Sequence, residues 1–255
     1  MKNKFLMALV SVMTMLALSS CKEDDPTPAP PVTYGEFHLD MEYIWAMSLA
    51  KFELNTPLFH PMSGDSMTFS SFKHYISNIR LKRSNGTYWA AKESYHLLDA
   101  SDTGTLDIRF TDVPAGDYVA LEITFGVDST RNVSGAQTGD LDPDKGMFWN
   151  AMAGYIMIKA EGTSPQSPSG MFMYNLGGFS GENSVVSVRE ISFPNSGVLS
   201  IKPGSTPVIQ LQGNPARLFH NYGSVSNGAE IDAPCTDAKT MARDFNYSVK
   251  LLNIH

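Results

Sequence analysis

The sequence predicts an all-β chain, an antiparallel β-sandwich with one short C-terminal helix, and three patterns carry that prediction. Residues 36–43 alternate strictly, with Phe37, Leu39, Met41 and Tyr43 on one face and Glu36, His38, Asp40 and Glu42 on the other, the period of a half-buried strand. Short runs rich in β-branched and aromatic residues then recur between turn residues along most of the chain, the rhythm of a sandwich. Near the end the period changes once: Ala238, Met241, Ala242 and Phe245 stand at i, i+3, i+4 and i+7, one face of a helix.

After the first strand, further strands are expected over 66–72, 74–83, 94–99, 106–110 and 117–127. Ser84-Asn85-Gly86 lies between Ile79-Arg80-Leu81 and Tyr88-Trp89 and reads as a tight hairpin turn, because Asn-Gly reaches positive φ at low cost. The first half is therefore read as a β meander. The second half continues with 154–161, 170–174, 184–193, 198–201 and 208–211. Thr236 is placed to cap the helix at 237–245, and residues 247–254 close the chain as a strand. No internal repeat period is visible. One domain from 34 to 255 is expected.

The N-terminus carries an address. Met1-Lys2-Asn3-Lys4 is basic, residues 5–18 are uncharged and apolar, and Leu18-Ser19-Ser20 puts small residues before Cys21. An apolar run this short, with these flanks, describes a cleaved signal peptide over 1–20 and not a spanning helix. Leu-Ser-Ser-Cys resembles the lipobox of bacterial lipoproteins, which makes Cys21 the lipidated new N-terminus; an ordinary leader that happens to contain a cysteine is the plainer alternative. Residues 21–33 hold Lys22-Glu23-Asp24-Asp25 and then Pro26-Thr27-Pro28-Ala29-Pro30-Pro31, an acidic and proline-rich tether that cannot bury apolar area. Cys-Lys followed by acidic residues also resembles the surface-export signal of Bacteroidetes lipoproteins. The expected location is the outer membrane, on its cell-surface face, with the periplasmic face as the alternative.

Composition narrows the function. Of 19 basic residues, Lys2 and Lys4 leave with the leader, so 17 face 26 acidic ones and the mature net charge is −9. Phosphate binding needs a basic face, so nucleic acid is excluded as a partner. With Cys21 lipidated, only Cys235 remains, so no intramolecular disulfide is available and stability must come from core burial. No Gly-x-Ser-x-Gly elbow, His-Glu-x-x-His pair or phosphate-binding glycine loop occurs, and the chain is read as a non-enzyme.

Several segments together permit a family reading: Lys73-His74-Tyr75-Ile76-Ser77-Asn78-Ile79-Arg80-Leu81, Val113-Pro114-Ala115-Gly116-Asp117-Tyr118, and Gly126-Val127-Asp128-Ser129. Arg131-Asn132-Val133-Ser134-Gly135-Ala136-Gln137-Thr138-Gly139, Gly146-Met147-Phe148-Trp149 and Gly154-Tyr155-Ile156 follow in order, with a weaker Asn175-Leu176-Gly177-Gly178-Phe179. The chain resembles the MbnP-like family over nearly all its mature length. The resemblance implies a β-sandwich, an exported location and a link to copper, since characterised relatives bind copper outside the cell with histidines and an oxidised tryptophan. It also implies histidines at four places where this chain has Tyr43, Asn175, Asp232 and Asn253. Phenol, amide and carboxylate are poor replacements where a borderline metal wants nitrogen.

The six histidines are His38, His60, His74, His96, His220 and His255, and no two share a strand or helix face at chelating spacing. A copper site would have to be assembled by the fold. His220 and His255 lie in segments that resemble the family around the expected site, and Trp45 is nearest the family's modified tryptophan. The plainer reading is that these are ordinary hydrogen-bonded or surface histidines and core tryptophans, Trp149 above all. The 14 methionines are scattered, as gap-fillers are. Asp140-Leu141-Asp142-Pro143-Asp144-Lys145-Gly146 offers alternating carboxylates but fails as a calcium loop, because Gly146 comes one residue late and Ala151 stands where a bidentate glutamate belongs. Asp128 is expected to fix its loop through backbone hydrogen bonds, and Cys235 to be quiet and partly buried. The expected function is a lipid-anchored binding protein with copper as leading ligand. Its rivals are a metal-free module docking on a surface protein, or a glycan binder using Trp45 or Trp89 as a platform.

Overall fold

A computed structural model describes residues 31–255 apart from 49, 136, 195 and 196. The leader, Cys21 and most of the tether lie outside the described residues. Alternation in the first strand, Tyr34–Trp45, has the expected result: Phe37, Leu39, Met41 and Tyr43 are buried while their neighbours are half-exposed. On one side it pairs antiparallel with Asp107–Pro114, Phe37 opposite Phe110. On the other it runs parallel to Val208–Gly213, from His38 opposite Val208 to Tyr43 opposite Gly213, and that strand pairs antiparallel with the last one, Lys250–Ile254. These strands make the smaller sheet.

The larger sheet is built on Ser66–Lys82, which the sequence reading divides at Lys73 but which runs unbroken for 17 residues. Its irregularity comes later, at Asn78, whose φ of 51° coincides with a register shift between Ser77 and Arg80. The Asn78 amide donates to Asp128 Oδ2 at 2.8 Å and holds that bend. The strand can thereby pair with Tyr95–Asp99 over Lys73 to Ser77, with Ala120–Phe125 from Ile76 onwards, and with Gly154–Thr163 nearer its start. Met171–Gly177 and Ser187–Ser192 extend the sheet on either side. The hairpin forms as expected, Leu81 opposite Trp89, with Gly86 at φ 84°.

Three further features differ from the sequence expectation. The expected strand 117–127 splits at Val119: Gly116–Tyr118 leaves to pair with Leu199–Ile201, while Ala120–Phe125 stays in the large sheet. Pairing is antiparallel except for the first strand with Val208–Gly213 and for Met173–Tyr174 with Glu230–Ile231, which are parallel. The helix runs Thr236–Ser248 and is capped by Cys235, whose Sγ accepts from Ala238 N at 3.4 Å; Thr236 is the first helical residue and not the cap. Its face of Ala238, Met241, Ala242 and Phe245 is buried as the spacing requires. The core is markedly aromatic: Phe69, Phe72, Tyr75, Tyr155, Tyr174, Phe219 and Phe245 are fully buried. No helix among the described residues is long and apolar enough to cross a membrane.

Candidate functional site

Trp45 ends the first strand and turns its indole inward. The ring stacks on Phe52 at 6.0 Å and meets Phe69 and His60 edge-on at 5.5 and 5.9 Å, while its N–H donates to the Phe59 carbonyl at 2.8 Å. His60 is buried against Phe219 on its far side. Ser63 N–H donates to its Nδ1 at 3.1 Å, so Nε2 carries the proton and donates to the Ala216 carbonyl at 3.0 Å. Burial lowers the His60 pKa and outweighs the opposing pull of the Ala216 hydrogen bond and the Asp65 carboxylate, so the ring is held neutral.

His220 follows the short turn Pro215–Phe219 and closes it with His220 N–H to the Arg217 carbonyl at 3.1 Å. Its Nδ1 is buried and has no hydrogen-bond partner. Trp45 and His60 are in ring contact, and His220 enters this corner as the chain neighbour of Phe219, which packs on His60; His60 is the member that the sequence does not reveal.

His255 is elsewhere. Its backbone pairs with Val208, at the start of the strand whose far end, Gly213, leads to the His220 turn. The five rises between Val208 and Gly213, at about 3.3 Å each, put those ends roughly 17 Å apart. The expected partnership of His220 with His255 is thus not formed.

The four positions where the family resemblance implies histidine fall into three neighbourhoods. Tyr43 is in the core, its hydroxyl sharing a 2.8 Å hydrogen bond with His74 Nε2. His74 is 1% exposed, packed against Phe72 and Phe245, and its Nδ1 finds no partner. Burial drives the His74 pKa down to about 4 and holds Tyr43 well above the usual phenol range. Asn175 and Asp232 do come together: Asn175 Nδ2 donates to Asp232 Oδ1 at 2.9 Å, and Trp149 Nε1 donates to the same oxygen at 2.8 Å. Trp149 is half-buried and lies against Gly177, where a Cβ would stand 2.3 Å from its ring. Asn253 is exposed on the last strand, and its Oδ1 accepts from Ile254 N at 2.9 Å.

The other sequence candidates have structural duties. Asp128 caps the turn Ser129–Asn132 through Arg131 N at 3.3 Å and also receives the Asn78 amide and the Tyr95 hydroxyl. Asp140 accepts from Leu97 N at 3.1 Å, and Asp142 from Asp144 N at 2.9 Å, so two of the acidic loop's three carboxylates are spent on backbone. Among the described residues no three His, Cys, Asp or Glu side chains gather as a metal cluster.

A family model described as MbnP matches residues 34–237. A solved structure titled "MbnP from Methylosinus trichosporium" superposes with a TM-score of 0.52 at 16% identity, covering 81% of this chain and 88% of that one. At that identity the likeness speaks for the fold. No curated protein matches the chain.

Proposed function

Because the chain belongs to the MbnP family, we propose that it is a lipid-anchored, extracytoplasmic binding protein without catalytic chemistry, and that copper is its ligand class. Cys21 supplies the membrane anchor and the tether places the domain on the outer membrane's cell-surface face. The observation that carries the copper reading is the buried, unpartnered imidazole nitrogen of His220, next in the chain to Phe219, whose ring packs on His60 and through it on Trp45. A buried polar atom left unpaired is costly, and a ligand is one way to pair it. His60 would join through Nε2 by giving up the Ala216 carbonyl and moving its proton to Nδ1, where the Ser63 hydroxyl oxygen can accept it. Two imidazoles suit soft Cu(I) and do not make a three-nitrogen Cu(II) centre. The metal, when bound, would bring soft-ligand coordination; the chain's own part is to hold the His60 ring neutral and aimed at this corner.

A second reading, a metal-free docking module, is favoured by one specific feature. Tyr43 is closed against His74, and Asn175 and Trp149 are closed on Asp232, so three of the four implied ligand positions are occupied by hydrogen bonds within the chain. Metal content and intact mass of the full lipoprotein from its native host, before and after copper loading, separate the two. Stoichiometric copper supports the first reading, and a mass gain on a Trp45 peptide strengthens it. A chain that takes up no copper under either oxidation state leaves the docking module.

A further inference from the structure

Away from that corner, a depression of about 630 Å³ opens where the hairpin strand Tyr88–Ala90 meets Asp107–Pro114, within the size range of small-ligand sites. Trp89 and Phe110 form its apolar side, their rings edge-to-face at 6.2 Å, and Phe37 beneath holds Trp89 edge-on at 6.0 Å. The Trp89 ring is thus fixed by the core while part of it stays open to solvent. Tyr34, more than half exposed, adds a second aromatic wall.

The polar groups around this surface have unused capacity. Trp45 and Trp149 each spend their indole N–H on a protein acceptor, but Trp89 has no such bond among the described residues. His96 makes one side-chain hydrogen bond, between Nε2 and Ser94 Oγ at 3.2 Å, which leaves Nδ1 over. Among the described residues Lys92 forms no ion pair, and the Asp112 carboxylate meets only the neighbouring Thr111 hydroxyl, at 3.5 Å. Donors and acceptors thus surround a fixed aromatic face. An apolar peptide would leave them unpaired, and with Arg109 already paired to Glu36 the opposite charges of Lys92 and Asp112 offset each other, so the groove favours neither an anion nor a cation. A pyranose ring satisfies both demands, since its C–H face packs on an aromatic ring while its hydroxyls donate and accept at the edge.

We propose that this groove, with Trp89 as platform and Lys92, His96 and Asp112 as hydroxyl partners, is a binding site for a neutral pyranose saccharide, separate from the Trp45 corner. The test uses the full lipoprotein in a sugar-free detergent. Cellobiose, maltose, chitobiose and mannobiose are titrated singly while tryptophan fluorescence and saturation-transfer NMR are followed. A saturable response to at least one disaccharide is expected, with Trp89→Ala weakening it by about tenfold or more, as loss of an aromatic anchor does. Asp112→Asn and Lys92→Ala, both exposed and away from the core, should weaken it without moving the melting temperature. Trp149→Phe should leave it unchanged. Presenting the responding disaccharide as a glycolipid in vesicles tells a membrane glycan from a free one, and either source satisfies the proposal. No saturable response to any of the four at about 10 mM, or a response indifferent to Trp89→Ala and Asp112→Asn, overturns it. Copper uptake is measured at a different site, so neither result depends on the other.

Discussion

The Tyr43–His74 pair offers the sharpest check on the interior, because its energetics follow from one hydrogen bond and one burial. Both side chains are buried and share a 2.8 Å contact, and His74 Nδ1 is already unpaired. Tyr43→Phe strips His74 of its one partner and should cost about 1–3 kcal/mol, the penalty of a buried polar atom left unsatisfied. His74→Leu strands the Tyr43 hydroxyl and should cost a similar ~1–3 kcal/mol. The double variant removes both polar groups at once and should lie within about 1 kcal/mol of the parent, so the singles are strongly non-additive. A pH signature accompanies this. The His74 pKa falls from 6.5 to about 4 on folding, so the unfolded chain binds the extra proton and stability declines as pH drops from 6.5 towards 4. At ~1.4 kcal/mol per pKa unit the full loss is about 3 kcal/mol, and above pH 6.5 it vanishes. Urea denaturation of the parent, the singles and the double at pH 7.5 and 5 reads all of this. Additive singles, or a His74→Leu variant with the parent's acid sensitivity between pH 6.5 and 4, would refute the reasoning.

Other consequences are as direct. Cys21→Ser should abolish lipid attachment and move the chain from membrane to soluble fractions; unchanged fractionation would remove the anchor. Gly177→Ala puts a Cβ 2.3 Å from the Trp149 ring and 2.9 Å from the Tyr155 carbonyl, so overpacking should cost about 1–3 kcal/mol and red-shift the tryptophan emission as Trp149 is pushed out. Asp128→Ala leaves the Asn78 amide, the Tyr95 hydroxyl and Arg131 N without their acceptor and should lower stability by about 1–3 kcal/mol, while Asp128→Asn, which keeps one acceptor, should lose less. A melt unchanged in Asp128→Ala would show the loop is not held there.

What was legible in the sequence follows from where pairing is local. The first strand is buried on one face only, so its alternation survives in the sequence; the hairpin is set by Asn85-Gly86 alone. Ser66–Lys82 was harder, because buried residues crowd both faces from His74 to Ser77 and the bend at Asn78 depends on Asp128, fifty residues away. Short strands such as Phe148–Asn150 exist only because Gly154–Thr163 offers them an edge. The helix face was visible, but whether Cys235 or Thr236 caps it depends on one residue's backbone angles, φ −153° at Cys235. The site was least legible. Asn175 meets Asp232 because Tyr174 and Ile231 are in register across a parallel pair, so the next residue on each strand must also adjoin. His60 reaches Trp45 through a loop and Phe219 by packing against a segment more than 150 residues away, neither of which leaves a spacing rule.

Two imidazole nitrogens in the interior lack partners, on His74 and on His220, and they differ in access. His74 is sealed by Tyr43, Phe72 and Phe245, so an ion could reach it only by opening the aromatic core. His220 is half-buried on a surface turn, one residue from Phe219, which packs on His60. A ligand arriving from solvent therefore meets His220 first, and the two histidines should respond differently to metal. His220→Ala should reduce Cu(I) uptake by the full lipoprotein at least about tenfold in a competition titration, the loss of one of two donors. The double variant of Tyr43 and His74 should leave uptake unchanged, because its polar groups face only each other. Equal losses in both variants would mean that copper enters through the core, and uptake that survives His220→Ala would place the metal outside the Trp45 corner.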